Sequence, residues 1–381
     1  MSISPNYTLI RRLTATVILV QMIMAAKVWL PYREFPIAPV FYSFPVLPDF
    51  SCTAIYAILI GLLLTTLVIK DAARPILAFC LLFWSYSLFD YSRIQVYYTQ
   101  FTIMLAGLGF VEYYLAKEDK PSADEMLNGI RLFFVFCYFW SGFYKLNGSF
   151  YDMVIPWFVL PITNALGLGT APSWVGMFMA ITELIGGLCL LFPQARRVGV
   201  VIVIAIHLFI LTCIGPFGHF WNLITWPWNV FMATFSFLLF WNFDGKILSQ
   251  WKPSIPTQYK LFILVVFGFF PILFAFGKWD SFFSFDLYSG KTKLGLIYLT
   301  EPEIDALPAD LHKYVIPTPG GRRCIDLTFW SLGESNTLAY PEDRAFDKLH
   351  RSFSQKFYNK EKVGTMYVQS QYSVWKAQHP N

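Results

Sequence analysis

Four polar residues lie inside long apolar stretches of the chain, where an ionisable side chain is costly and is therefore a functional candidate. Lys145, Glu183, His207 and Asn229 supply an amine, a carboxylate, an imidazole and an amide. Burial among aromatic residues disfavours the ammonium form of a lysine, and only a neutral lysine accepts a proton. Together these residue types favour a polar chamber that opens outward, which indicates a site but no particular reaction.

Lys145, Glu183 and His207 also have simpler structural explanations, as does a further candidate, His219. The amine of Lys145 could extend along its aliphatic stem to the outer surface. Glu183 and His207 could pair with each other as a hydrogen bond between two helices. His219 could lie in interfacial water. The chamber is favoured because the groups fall at overlapping depths on consecutive predicted helices.

Helical spacing places several polar residues on one face of a predicted helix. Phe134, Tyr138, Ser141 and Lys145 recur at i, i+4, i+7 and i+11, which is one side of an α-helix. At about 1.5 Å per residue, Lys145 falls in the outer third of its span. Tyr138 and Ser141 are therefore predicted to line the chamber beside it.

The same rise per residue sets the depth of the other candidates. Glu183 and His207 fall close to the midplane of the two following spans, and Asn229 falls about 10 Å into the next one. Before that last span, the sequence "GPFGHFWN" interrupts the helix, and non-helical backbone at membrane depth is tolerated where it lines protein or a cavity. The remaining predicted binding residues come from this region and are His219, Asn222 and Trp226.

The composition indicates a membrane protein. Of 381 residues, 56% are hydrophobic, 19% are aromatic and 14% are charged, whereas a soluble domain carries about 25% charged residues. The apolar residues form blocks of roughly 17–25, the length that crosses the hydrocarbon core of a bilayer. The sequence therefore predicts an all-α polytopic membrane helix bundle, with spans at 13–31, 51–69, 75–92, 97–115, 130–148, 172–193, 198–214, 222–241 and 258–277.

The basic residues predict the orientation of these nine spans, because cytoplasmic loops are enriched in Lys and Arg. With the N-terminus in the cytoplasm, the outer loops hold only Arg33 and Arg93. The inner side then holds Arg11, Arg12, Lys70, Arg74, Lys117, Lys120, Arg131, Arg196, Arg197, Lys246, Lys252 and Lys260. The predicted location is a bacterial cytoplasmic membrane, with the C-terminal residues outside the cell. The small net charge of +5 is spread through the loops and does not indicate a nucleic-acid partner.

Residues 278–381 are predicted to form a small extracytoplasmic α/β domain after the membrane domain of residues 1–277. The segments "LYSGKTKLGLIYL" and "CIDLTFWSL" are typical of strands, "PEDRAFDKLHRSFSQKF" is typical of a helix, and "VGTMYVQSQY" is a candidate third strand. Cys324 lies in this domain, and Cys52 lies at the outer end of the second span. Both would face an oxidising compartment, so either a disulfide or two unpaired thiols is consistent with the sequence. No cysteine or histidine spacing predicts a metal site.

The segment "YFWSGFYKLNGSFYD" resembles the signature of the horizontally transferred transmembrane domain (HTTM) family, which includes the vitamin K-dependent γ-glutamyl carboxylase. "ITELIGGLCLLFPQARRVGV" is similar to the acidic helix and basic turn of that family, and "IAIHLFIL" is similar to its intramembrane histidine. The resemblance covers roughly residues 10–245. It implies that Lys145 is the base that deprotonates a reduced naphthoquinone, that His207 orients the quinone oxygens, and that Glu183 is structural.

The resemblance also implies an activity, which is quinol-dependent carboxylation, or a related modification, of an extracytoplasmic protein or peptide. Two features depart from the family: "RIQVYYTQF" lacks its histidine, although Gln95, Tyr98 or Gln100 could hydrogen-bond there, and the large lumenal domain is largely missing. The second hypothesis is therefore a non-catalytic membrane subunit that scaffolds a cell-envelope complex with a partner protein. A thiol or quinone oxidoreductase would need a dithiol from a partner, and a transporter would need inverted repeats that the sequence lacks.

Overall fold

Helices make up most of the chain in a computed structural model, which describes residues 7–248, 253–318 and 321–378. Lys252, one of the predicted inner basic residues, lies outside the described residues. The first twelve α-helices are α1 Tyr7–Met24, α2 Ala26–Trp29, α3 Asp49–Val68, α4 Ala73–Ser87, α5 Val96–Ala116, α6 Lys120–Tyr144, α7 Ile155–Phe158, α8 Leu160–Ala165, α9 Ser173–Leu191, α10 Arg196–Ile214, α11 Thr225–Phe240 and α12 Ile255–Ile263. Helix α12 continues through a π-helical turn, Leu264–Phe269, into the 3₁₀ turn Phe270–Phe276.

Six helices are long and apolar enough to cross a membrane, which indicates a multi-pass integral membrane protein. They are Tyr7–Met24, Asp49–Val68, Lys120–Tyr144, Ser173–Leu191, Arg196–Ile214 and Ile255–Phe276. The other three predicted spans also fall on helices, but α4 and α11 have 15 and 16 residues and so are short for a crossing. The number of nine crossings therefore stays a prediction.

Helix α5 has the length of a span, with 21 residues, but is too polar to face the hydrocarbon core of a bilayer on all sides. It carries Thr99, Gln100 and Thr102, all of which are buried. Helices α1, α4 and α6 pack around it, and the hydroxyl of Thr102 donates to the carbonyl of Tyr98 at 2.7 Å. Because neighbouring helices rather than lipid cover this helix, its sequence does not need to be uniformly apolar.

The close contact between α6 and α9 brings the segment of Lys145 beside that of Glu183. Helix α6 begins at Lys120 rather than near residue 130, since the carboxylate of Asp119 caps its first turn by accepting from the backbone of Ser122. A Cβ atom placed on Gly142 would lie 2.5 Å from the backbone nitrogen of Leu184. Small residues at such a crossing allow two helix backbones to approach closely.

The C-terminal region forms a four-stranded antiparallel sheet with helices. Its strands are β1 Lys293–Leu299, β2 Val315–Pro317, β3 Arg323–Asp326 and β4 Thr365–Ser370, in the order β2-β3-β1-β4. Its helices are α13 Glu301–Asp305, α14 Leu327–Ser335, α15 Asp343–Tyr358 and α16 Gln371–Gln378. The candidate third strand and the predicted helix are confirmed as β4 and α15.

The prediction that "CIDLTFWSL" is a strand is wrong after its first residues. The strand ends at Asp326, whose carboxylate accepts from the backbone nitrogens of Thr328 and Phe329 and so starts α14. Of the two possibilities left open for Cys52 and Cys324, a disulfide or two unpaired thiols, the structure has the second, because both are free thiols. The thiol of Cys52 lies 4.0 Å from the carbonyl of Leu47, whereas Cys324 lies within the sheet.

The C-terminal domain is fixed to the loop that follows α2. The carboxylate of Glu334 accepts from the backbone nitrogens of Glu34 and Phe35. The amine of Lys348 donates to the carbonyls of Pro39 and Val40. These charge-assisted bonds hold α14 and α15 against the ends of the membrane helices.

Candidate functional site

A narrow cavity with a volume of about 90 Å³ lies where α6, α9, α10 and α11 meet. That space is enough for several waters but is smaller than the roughly 150 Å³ of a cavity that holds one benzene ring. Its lining is mostly aliphatic and aromatic. The polar residues on its wall are Gln100, Tyr138, Ser141, Lys145, Glu183, His207, Asn229 and Tyr288. The structure therefore brings together six of the predicted residues, from four consecutive predicted spans: Tyr138, Ser141, Lys145, Glu183, His207 and Asn229.

Lys145 is held by two partners at the C-terminal end of α6. Its Nζ donates to Ser141 Oγ at 2.5 Å and to Glu183 Oε2 at 2.8 Å. The side chains of Lys145 and Glu183 are only 13% and 12% exposed. The amine and the carboxylate therefore form a shielded ion pair, and Lys145 is not the isolated amine that the sequence suggests.

His207 lies in a second chain of hydrogen bonds on the same cavity wall. Asn229 Nδ2 donates to the carbonyl of Thr225 at 2.7 Å, so its Oδ1 is the acceptor for His207 Nδ1–H at 2.8 Å. His207 Nε2 is then the acceptor for the hydroxyl of Tyr138, also at 2.8 Å. This assignment fixes the neutral tautomer of His207 with its proton on Nδ1.

The hydroxyl of Tyr138 covers Nε2 of His207, and both side chains line the cavity. It also lies 3.1 Å from Ser236 Oγ, which can donate to it. Both ring nitrogens of His207 are thus used within the protein, and the simpler pairing of His207 with Glu183 is not formed.

Three of the predicted binding residues lie outside the cavity lining. His219 Nε2 is 2.6 Å from the carbonyl of Trp157, and the two rings are stacked with their centroids 4.3 Å apart. Trp226 Nε1 donates to the carbonyls of Ile214 and Trp221. The interrupted segment "GPFGHFWN" therefore does not line the cavity. It makes hydrogen bonds and packing contacts with neighbouring residues of the protein.

The third of these residues, Asn222, contacts a residue that the sequence reasoning missed. Asn222 Nδ2 donates at 2.7 Å to the hydroxyl of Tyr288, which lies on the cavity wall together with Phe285 and Leu287. These three residues follow the last membrane helix, and no sequence pattern relates them to Lys145. Trp228 was also missed as a lining residue, and its indole donates to Gln100 Oε1 at 2.8 Å.

The side chains on the cavity wall suit an organic ligand better than a metal ion. Within the described ranges, no three His, Cys, Asp or Glu side chains converge as metal ligands. The apolar wall would hold a ring, and the groups at Lys145 and Tyr138 would meet polar substituents. No protein-family model, no curated protein and no solved structure matches this chain.

Proposed function

We propose that this chain is a multi-pass membrane enzyme in which Lys145 takes a proton from an aromatic hydroxyl of a ligand held in the cavity. The observation that carries this proposal is the arrangement of two separate proton-bearing networks on one narrow apolar cavity. These are the Lys145–Glu183 ion pair and the Tyr138–His207–Asn229 chain. A purely structural role for these groups would be served by direct packing, without a cavity between them.

The lining suits the chemistry of a reduced naphthoquinone, the cofactor that the resemblance to the HTTM family implies, and a two-ring ligand requires the cavity to widen beyond its volume of about 90 Å³. Aromatic and aliphatic side chains, among them Phe158 and Trp228, would hold its rings, and Lys145 and Tyr138 would hold its oxygens. When bound, such a quinol supplies reducing equivalents. An apolar groove between α9 and α10 shares Met179 and Ile206 with the cavity. These two side chains separate the groove from the cavity, and a lipid-soluble ligand from the bilayer would enter past them.

Glu183 has a defined task in this scheme. Lys145 accepts a proton only after losing one of its own, and the Glu183 carboxylate at 2.8 Å is placed to receive it. Ser141 keeps the amine in position through its 2.5 Å hydrogen bond. The proton thus moves from the ligand to Lys145 while another moves from Lys145 to Glu183, so the charge of the cavity changes little.

The Tyr138–His207–Asn229 chain positions a hydroxyl for the ligand. His207 accepts from Tyr138, which leaves the lone pairs of the tyrosine oxygen for Ser236 and for a donor in the cavity. His207 is therefore a positioning residue rather than a base. In the full proposal the chain crosses the membrane nine times, with a cytoplasmic N-terminus, and modifies a protein or peptide on the side of the C-terminal domain by a carboxylase-type reaction.

The test is the oxygen-dependent oxidation of a reduced naphthoquinone by purified protein. We expect wild-type protein to oxidise the quinol catalytically and Lys145→Ala to lose about 100-fold or more of the rate, as is usual for removal of a general base. Lys27→Ala is the matched control, because Lys27 is an exposed lysine on α2. Wild-type protein that neither binds nor oxidises the quinol would overturn the proposal. Stable co-purifying partners, together with full tolerance of Lys145→Ala, would identify a scaffolding subunit instead.

A further inference from the structure

A second, wider cleft lies between the sheet and the ends of the membrane helices. Its volume is about 670 Å³. One wall is a single face of the sheet, with Leu296, Tyr298 and Gln369 among its residues. The opposite wall includes Trp157 and His219. A larger share of the exposed wall is polar in the cleft than in the cavity around Lys145, with Asp326, Gln369 and Gln371 among the cleft residues. The cleft opens on the side that carries the C-terminal domain.

Two residues, Val154 and Tyr288, line both the cleft and the cavity. They form the wall between the two spaces, and the hydroxyl of Tyr288 is fastened to Asn222 Nδ2 at 2.7 Å. Lys145 faces the cavity side of this wall. Removal of the Tyr288 ring would therefore join the cleft to the space beside Lys145.

The fastening of Tyr288 is local and strained. Tyr288 has a φ of 58° and Asn222 a φ of 48°, both in the left-handed region. This conformation is unusual for a bulky residue such as tyrosine, and such strain is concentrated at switch regions and ligand clamps. In addition, Asn222 Oδ1 is buried without a hydrogen-bond partner within the described part of the chain. The closed arrangement thus leaves one acceptor unsatisfied.

The segment of Tyr288 is connected directly to the loop after Lys145. Asn147 Nδ2 donates to the carbonyls of Tyr144 and Ser289. Gly290, with a φ of 80°, packs so closely on Ser149 that an added Cβ would lie 2.9 Å from Ser149 Cβ. A displacement of Tyr288 would therefore reach the residues next to the amine.

We propose that the cleft binds a polar, water-soluble substrate and that Tyr288 is the gate through which this substrate reaches Lys145. The two reactants then arrive by different routes, the apolar one from the bilayer and the polar one from water. The role of the substrate in the reaction rests on the proposed function, but the existence of the gate does not. Cys137 lines the cavity and offers a native thiol with which to test it.

The experiment measures how fast a small, charged methanethiosulfonate labels individual thiols in the full-length protein, with each site quantified by peptide mass spectrometry. Cys137 reports on the cavity, a Gln369→Cys substitution reports on the cleft, and Cys80, which is buried away from both spaces, is the internal control. The variants are Tyr288→Ala, which removes the gate, and Asn222→Ala, which removes one of the two hydrogen-bond partners of the Tyr288 hydroxyl and leaves Thr225. A charged reagent is used because it does not enter through lipid.

In the protein with an intact gate, we expect the thiol at position 369 to be labelled readily and Cys137 slowly. Tyr288→Ala should accelerate the labelling of Cys137 by about tenfold or more, and Asn222→Ala by a smaller factor, with Cys80 unchanged. Equal Cys137 rates in the wild type and both variants would overturn the gate, as would wild-type Cys137 that reacts as fast as the cleft thiol. Asn222→Ala keeps the test decisive if Tyr288→Ala does not fold. Failure of quinol binding would leave these rates unaffected and would count only against the proposed function.

Discussion

The Lys145–Glu183 pair is the group on which the proposed chemistry of the cavity depends, and its burial makes it costly to break. Both side chains are almost nine-tenths shielded, and the ion pair joins α6 to α9. Taking two charges out of water is unfavourable, so the pair itself adds little net stability, but a single remaining charge is strongly unfavourable. This asymmetry separates a paired arrangement from two independent residues.

Replacement of one partner should therefore destabilise the protein more than replacement of both. We expect Glu183→Leu to lower the free energy of unfolding in detergent by about 3–5 kcal/mol, and the double variant with Lys145→Met to recover most of that loss. Lys293→Ala is the control, since Lys293 and its partner Asp343 are 40% and 69% exposed and their pair contributes about 0–1 kcal/mol. Strictly additive effects of the two single substitutions would show that the pair is not coupled.

For individual residues, the sequence predicted which side chains line the cavity better than it predicted their hydrogen-bond partners. Helical periodicity and depth placed Tyr138, Ser141 and Lys145 on one face, and all three line the cavity. The pairing of Lys145 with Glu183, and of His207 with Tyr138, depends on how neighbouring helices rotate against each other. That rotation is set by side-chain packing between helices and is not encoded in the period of any one of them.

Among the helices, the contact of α6 with α9 sets the position of the ion pair. Gly142 meets the backbone of Leu184, and Gly187 meets the backbone of Phe139, where an added Cβ would lie 2.8 Å from the nitrogen. Leu184 follows Glu183 directly, and Gly142 lies between Ser141 and Lys145. The distance between these two helix backbones therefore controls the distance between amine and carboxylate.

A methyl group at this crossing should separate the two helices. We expect Gly142→Ala to destabilise the protein by about 1–3 kcal/mol, as overpacking of a close contact does, and to reduce quinol oxidation with it. The control is Gly61→Ala on α3, where an added Cβ has no other atom within 4 Å. Thermal unfolding in detergent measures both variants. A Gly142→Ala protein as stable as the Gly61→Ala protein would contradict the close packing described here.

The positions of the helices were largely predictable, while their relation to lipid was less so. Long apolar runs located each predicted span on a helix, because helices are the way a chain satisfies its backbone in a membrane. Hydropathy does not reveal that α5 is covered by α1, α4 and α6. Likewise, the β-branched and aromatic content of "CIDLTFWSL" favoured a strand, but the capping carboxylate of Asp326 ends the strand and starts α14.

At the scale of the whole molecule, the C-terminal domain is part of the site rather than an appendage. The segment between the last membrane helix and β1 supplies Phe285, Leu287 and Tyr288 to the cavity wall. This domain is in turn held to the loop after α2 by Glu334 and Lys348. Nothing in the local sequence of residues 285–288 indicates this role, because the contact spans more than a hundred positions along the chain from Lys145.

The stability of this domain should depend on pH through His350 on α15. Its Nε2–H donates to the carbonyl of Val363 at 2.7 Å, and burial lowers the pKa of the imidazole. Because the unfolded chain binds the proton more readily, the stabilisation is fully present above the unfolded pKa of about 6.5 and is lost as the pH falls below it.

Substitution of His350 should remove this component of the pH dependence. We expect hydrogen exchange of the β1 and β4 amides to speed up between about pH 7 and about pH 5.5 in wild-type protein, after correction for the intrinsic rate. The His350→Gln protein, whose amide can still donate to Val363, should show a weaker response. An identical pH response in the two proteins would rule out His350 as its source.

Equilibrium binding of a reduced naphthoquinone is the decisive test of the proposed role of the cavity beside Lys145. Purified protein in detergent is titrated with the quinol under anaerobic conditions, alongside the Lys145→Ala variant and the Lys27→Ala control. We expect the wild type and the control to bind one quinol per chain in a saturable way. In Lys145→Ala the affinity for the quinol should be weaker by about tenfold or more, or about 1.4 kcal/mol. Non-saturable partitioning, or the same affinity in all three proteins, would contradict the proposed role.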